Sequence, residues 1–486
     1  MENQNNLNTK VISSLIWKFL ERLGTQGVQF IVSIILARLL LPDDYGMVTM
    51  ILVFTSIANV FIQTGFSVSL VQKKDADELD FSSVFYASII LAIICYTILF
   101  IAAPYISKFY NMPEMTSILR VISITLFFGA ISSIQNAKIS KEMKFKKLFF
   151  SSLGAILISG TTGIVMAYKG YGPWALVGQQ IANEFATCVI LWFTSGWKPK
   201  FIFSISRVKS LLSFGWKILC SSLLDTFYRN IYNLTIGKVY SSETLGNYNK
   251  GEQFPKLIAV NVDNTINSVM MAAFSKEQDR KEIIKKMVRR SIKTGSLIMF
   301  PMMLGLAAVS EIVVKILLTE KWLDCVPYMQ LLCIVYAVYP INSANMQAIK
   351  ALGRSDYSLK VEIVKKVLGI LTLIVTLKSG VMAMTIGQVI VNIISLFISA
   401  FPNKKLINYK YSEMMKDILP NAIISVIMSI IVYLMKFINI NNYILLILQI
   451  TFGIVVYISL AYIFKLEAFN YILKILKDKL KRKYHE

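Results

Sequence analysis

The sequence predicts an all-α polytopic membrane protein of about fourteen transmembrane helices, in two pseudo-symmetric six-helix lobes followed by two C-terminal helices. Three observations carry that prediction. Apolar runs of about twenty residues recur end to end, the length of helix that crosses a hydrocarbon core of about 30 Å. Lys and Arg crowd into every second gap between the runs. Short matches also recur at a near-constant separation of about 200 to 210 residues, the length of six spans.

The bulk composition excludes several classes. The chain of 486 residues is 55% hydrophobic and only 16% charged, with a mean hydropathy of +0.59, too apolar for a soluble protein of this length. A net charge of +23 would suggest nucleic acid in a soluble protein. Here the basic residues occupy short gaps between spans, where they set orientation, so no nucleic-acid partner is expected. Cys95, Cys188, Cys220, Cys325 and Cys333 lie in apolar surroundings without metal-type spacing and read as core residues. The one histidine, His485, is penultimate, which removes histidine from any triad or metal cluster. No metal, cofactor or enzymatic chemistry is expected.

The spans are centred near residues 25, 58, 92, 126, 158, 184, 225, 260, 298, 337, 368, 390, 425 and 453. The first carries Lys18, Glu21 and Arg22, unlike a signal-peptide core, and is expected to be retained. With the amino terminus inside, the inner gaps and tail hold about 35 Lys and Arg and the outer gaps about 8. Both termini are therefore predicted to be cytoplasmic.

Ser14, Trp17, Lys18 and Leu20 match Ser213, Trp216, Lys217 and Leu219. Gly46 matches Gly246, and Gly178, Gln179, Ile181 and Asn183 match Gly387, Gln388, Ile390 and Asn392. Six spans per repeat insert both copies with the same polarity, related by an axis along the membrane normal. The expected division is a lobe over 1–200, a second over 201–405, two added helices over 406–466 and a basic amphipathic tail over 467–486. That tail suits the anionic inner leaflet, and a solubilising frayed end is the alternative.

Function is expected where ionisable residues enter the spans, because a charge at a helix centre costs about 2.5–3.5 kcal/mol on insertion scales. At 100° per residue, Lys18, Arg22, Thr25, Gln26, Gln29 and Ser33 share one face of the first helix, flanked by Glu21. The second helix aligns Ser56, Asn59, Gln63 and Ser67. The seventh aligns Ser222, Asp225, Arg229, Tyr232 and Asn233, with Asp225 and Arg229 spaced as an i, i+4 ion pair. The eighth aligns Lys250, Gln253, Asn261, Asn264 and Ser268, with Asp263 nearby.

These stripes suggest a polar cleft between the lobes, whose cationic wall of Arg22, Arg229 and Lys250, with Lys18 beside it, grips an anionic group. A purely structural alternative has Lys18 and Lys238 snorkelling to the interface and Asp225 and Arg229 locking each other. Gly24, Gly27, Pro255 and Pro301 mark places where a helix can bend. No ion-site signature is clear, although Asp225, Asp263 or Glu184 would suit coupling to a proton or sodium gradient.

Several segments resemble one family. They are Leu36-Ala37-Arg38-Leu39-Leu40 with Pro42-Asp43-Asp44-Tyr45-Gly46, Gly65-Phe66-Ser67, and Asp80-Phe81-Ser82-Ser83-Val84-Phe85-Tyr86. Gly170-Tyr171-Gly172-Pro173-Trp174-Ala175-Leu176, Thr319-Glu320-Lys321-Trp322 and Ala351-Leu352-Gly353-Arg354-Ser355-Asp356 complete the set. Together they resemble the polysaccharide exporters of the multidrug/oligosaccharidyl-lipid/polysaccharide superfamily, the Wzx-type flippases and teichuronic-acid exporters, over roughly residues 10 to 470.

The resemblance implies export of an undecaprenyl-pyrophosphate-linked sugar unit from the inner to the outer leaflet of the cytoplasmic membrane. It places the pyrophosphate on cationic cavity residues, for which Arg22, Arg229 and Lys250 are candidates by position. A monomer is expected, with membrane lipids and the polysaccharide polymerase machinery as partners. A multidrug cation antiporter of the same architecture, a polymerase or ligase of lipid-linked sugars, and a scaffold for glycosyltransferases are the alternatives.

Overall fold

Helices account for nearly all of the computed structural model, which describes residues 2–277 and 280–474; no strand occurs among the described residues. Among the described residues, ten segments are long and apolar enough to cross a membrane. In chain order the long helical segments are α1 (Glu2–Leu39), α2 (Pro42–Gln72), α3 (Glu78–Tyr110), α4 (Met115–Lys141) and α5 (Phe145–Tyr168). Then follow α6 (Pro173–Thr194), α7 (Ile205–Val239), α8 (Ser242–Lys276), α9 (Lys281–Leu317) and α10 (Glu320–Ala351). The last four are α11 (Ser355–Thr376), α12 (Val381–Leu406), α13 (Tyr411–Phe437) and α14 (Asn442–Ile463).

Four of these helices, α6, α7, α8 and α11, have membrane length but lower apolarity than the ten. All fourteen fall on the centres expected from the sequence. Lipid-facing surface is evident on α3, α11 and α14, where Ile94, Ile98, Ile101, Leu371, Ile374, Ile447, Ile454 and Ile458 are exposed. Water would not tolerate apolar surface on that scale.

The chain divides by packing into two compact units, Met1–Gly246 and Asn247–Glu486. The repeat boundary near residue 200 is a different partition, because α7 packs on α2 and α3 within the first unit. There α5 packs on α1 and α6, and α4 bridges α3 and α6. Phe66, Leu70, Phe81, Val84, Phe85 and Trp197 fill one core and Val32, Leu36, Leu40, Ala167 and Ala175 another. In the second unit α9 is the hub, packing on α10, α13 and α14, while α12 packs on α10 and α11.

The repeat is visible in the backbone. Residues with positive φ end or precede helices in pairs about 210 residues apart: Asn111 and Thr319, Met143 and Gly353, Gly172 and Gly380. At the second pair the closing bonds also correspond, Lys144 N–H to the Ile139 carbonyl and Arg354 N–H to the Ile349 carbonyl.

Gly46 and Gly246 show why that position tolerates no side chain. A Cβ on Gly46 would lie 1.7 Å from the Ser242 carbonyl oxygen, and one on Gly246 1.9 Å from that of Pro42. The first turns of α2 and α8 therefore cross backbone to backbone, reciprocally, and Ser242 Oγ donates to the Asp43 carboxylate beside them.

One detail departs from expectation. Cys220 is exposed on α7, whereas Cys188, Cys325 and Cys333 are buried and Cys95 is half-buried; the apolar residues around Cys220 in sequence face lipid as well as protein. The amphipathic tail is helical over residues 467–474, and its remainder, with His485, lies outside the described residues.

Candidate functional site

On α1 the polar stripe begins at the first turn of the apolar stretch Trp17–Leu39. Lys18 Nζ donates to Glu21 at 2.8 Å; the lysine side chain is exposed and the glutamate is largely covered. Ser152 Oγ of α5 donates to the other Glu21 oxygen at 3.3 Å, which ties the stripe to its packing partner. Arg22, half-buried, forms no ion pair among the described residues. Gln26 places a buried amide oxygen without a hydrogen-bond partner in the same stripe, and Gln29 is exposed. An arginine left without a carboxylate is a free donor fork for an anion.

On α2, Asn59 and Gln63 bond each other at 3.2 Å and press on Gly129 of α4, where a Cβ would lie 2.7 Å from Gln63 Nε2. Between them Val60–Thr64 form a π turn, a distortion frequent at functional sites. The amides thus mark a polar seam inside the first unit.

On α7, Arg229 is exposed. Asp225 is half-buried on the same helix.

The α8 stripe is drier. Lys250 is only 3% exposed, with its ammonium 3.1 Å from Gln253 Oε1 and 5.6 Å from the Trp322 ring centroid. Trp322, from the Thr319-Glu320-Lys321-Trp322 segment, is fully buried, so that segment roofs the lysine. Asn261 and Asn264 turn back to donate to their own helix, at 2.8 Å to the Leu257 carbonyl and 2.6 Å to the Val260 carbonyl. Asp263 accepts from Asn267 at 2.8 Å.

Two ion networks were not evident from spacing within single helices. Buried Asp80, in the first turn of α3, accepts from Lys73 at 2.5 Å and faces Arg207 of α7 at 3.6 Å. Its neighbours Ser82 and Ser83 accept from the Lys200 and Ser204 amides, so the Asp80-Phe81-Ser82-Ser83 segment clasps the connection into α7. In the second unit Asp417 of α13 takes a bidentate pair from Arg289 of α9, both bonds 2.8 Å, with Lys293 at 3.3 Å and the Tyr409 hydroxyl at 2.9 Å. Lys285 pairs with Glu413 at 2.9 Å. The signal was complementary ladders: Lys285, Arg289 and Lys293 at i, i+4, i+8 on one helix, Glu413 and Asp417 at i, i+4 on another. Outside the spans, Lys144 at 2.6 Å, aided by Lys138, holds the Glu142 carboxyl below the usual carboxylate range.

The chain is similar over 398 residues to the lipopolysaccharide biosynthesis protein WzxC of Escherichia coli K12, at 24% identity, covering 81% of each chain. It is similar over 352 residues to the teichuronic acid biosynthesis protein TuaB of Bacillus subtilis 168, at 22% identity, covering 72% of this chain and 73% of that one. Among solved structures, the lipid II flippase MurJ in an inward closed conformation superposes with a TM-score of 0.75 at 17% identity, over 93% of this chain and 98% of that one. An inward-facing multidrug resistance MATE family transporter gives 0.64 at 13%, over 83% and 99%. These likenesses show the fold: an α-helical polytopic membrane protein of the architecture those transporters share. The polysaccharide biosynthesis protein family matches residues 35–327, more than half of the sequence, and the chain belongs to that family.

Proposed function

We propose that this protein is a flippase that moves an undecaprenyl-pyrophosphate-linked oligosaccharide, a repeat unit of cell-surface polysaccharide, across the cytoplasmic membrane by alternating access. The carrying observation is Arg22: a half-buried guanidinium about one and a half turns inside a membrane-length helix, in no ion pair among the described residues. Its chemistry matches a pyrophosphate better than a cationic drug, which an acidic or aromatic wall would hold. The family supports the reading, as do relatives named for lipopolysaccharide and teichuronic acid biosynthesis, and a further relative from Rhizobium meliloti named a succinoglycan biosynthesis transport protein.

In this reading the protein is a transporter and not an enzyme. Arg22 and Arg229 take phosphate oxygens, Lys250 enters contact as the helices around Trp322 move, and Gln26, Gln29, Asn59, Gln63, Asn261 and Asn264 offer hydroxyl partners to sugars. The prenyl chain stays in lipid, which spares the hydrated headgroup a passage through hydrocarbon. Both termini are cytoplasmic, by the distribution of Lys and Arg.

The test is a cell lacking the protein, complemented with variants whose membrane insertion is verified. Arg22→Ala and Lys250→Ala are expected to lose surface polysaccharide and accumulate lipid-linked repeat units on the inner face. Normal surface polysaccharide in both would refute the site. Export of cationic dyes would refute the substrate class, and glycan elongation by purified protein would make it an enzyme.

A further inference from the structure

The basic end of α9 does more than pair with α13. On its other side it borders a cavity of about 520 Å³, whose wall includes Lys286, Arg289, Arg290, Lys293, Glu467 and Tyr471. Two of the four cations are already committed: Arg289 to Asp417, and Lys293 to Asp417 and Glu467. Arg290 is held but not neutralised, stacked on the Tyr471 ring at 4.1 Å and donating to its hydroxyl at 3.2 Å. Lys286 is exposed and in no ion pair among the described residues. With Glu467 in the wall and Asp417 behind it, the cavity keeps two uncompensated positive charges.

Its position narrows the ligand. The cavity lies where the cationic first turns of α9 give way to the apolar length of a membrane helix, against the segment that follows α14. Ile283, Met287 and Ala468 add apolar lining, and Ile463 and Phe464 at the end of α14 are exposed. In sequence, residues 475–486 are net basic, with five Lys and Arg against Asp478 and Glu486. A wet, doubly cationic recess with an apolar floor at a membrane surface suits a phosphodiester joined to acyl chains.

We propose that this cavity binds the headgroup of an anionic phospholipid, with Arg290 and Lys286 on the phosphate and the acyl chains along α14. The proposal rests on the functional reading above only for the choice of leaflet, the inner one.

The test uses full-length protein in neutral detergent, with lipid adducts counted by native mass spectrometry. Phosphatidylglycerol is expected to be retained about tenfold better than phosphatidylcholine. The Lys286→Ala/Arg290→Ala double variant is expected to lose that preference with its melting temperature in neutral detergent close to the wild type's, both side chains being exposed and the Arg290–Tyr471 contact lying at the surface. Lys286→Glu alone should remove most of it, and Lys198→Ala/Lys200→Ala, exposed bases elsewhere, none. Equal retention of the two lipids, undiminished phosphatidylglycerol binding by the double variant, or saturation by inorganic phosphate that phosphatidylglycerol does not displace would each overturn the proposal. Because translocation is not read, a protein that selects phosphatidylglycerol but flips no glycan would sink the functional reading and leave this one standing.

Discussion

The α9–α13 joint and the α1 stripe both bring basic side chains to the ends of membrane helices, yet they treat them in opposite ways. At the joint, every lysine and arginine that faces α13 meets a carboxylate: Lys285 meets Glu413, while Arg289 and Lys293 meet Asp417. On α1, Lys18 has Glu21 one turn along, but Arg22 has no acidic partner among the described residues. A charge withdrawn from water is costly, so a protein that neutralises one cluster completely and leaves another cation unmatched is using the two differently. The first cluster fixes helix packing, and the second keeps interaction energy in reserve for a ligand.

The comparison is easiest to break at Asp417. Asp417→Ala removes a buried carboxylate from Arg289, Lys293 and the Tyr409 hydroxyl and, with the two cations open to the neighbouring cavity, is expected to cost about 3 kcal/mol. In detergent the protein should aggregate or melt well below the wild type; an unchanged melting temperature would show that the joint is not structural. Arg289→Lys keeps the charge but loses the planar two-bond grip, an expected loss of about 1.5–3 kcal/mol by the same thermal measurement.

Arg22→Ala sharpens the contrast from the other side. It should alter stability by less than about 0.5 kcal/mol, since no protein partner is stranded, while abolishing surface polysaccharide. If it melts like the Asp417 variant, Arg22 is a packing residue and the distinction fails. The smallest effect is expected for Lys18→Ala. Its pair with Glu21 is exposed on the lysine side and contributes under about 1 kcal/mol, and export, measured as surface polysaccharide, should stay near the wild-type level.

The reach of sequence reasoning follows from the range of each interaction. Helix existence and number were legible, down to α7 and α8, whose polar faces would hide them from hydropathy alone. The duplication was legible too, through Gly46 and Gly246, although the reciprocal carbonyl contacts that demand glycine there became visible only in three dimensions. The stripe on α1 follows from helical periodicity, which is local. The state of each charge on such a face was not legible. Lys250 is roofed by Trp322 from a distant segment, and Arg289 finds its acid 128 residues away.

What the sequence determined by itself is therefore the membrane class, the fourteen helices and the repeat. Each follows from a rule acting over one helix length or from comparing the chain with itself: hydrophobic thickness, charge at the gaps and constant offset. Only the tertiary structure decided which cations are neutralised and which stay available. Charge pairing depends on the few ångströms between side chains of different helices, and that distance is set by packing, which no periodicity along one helix encodes.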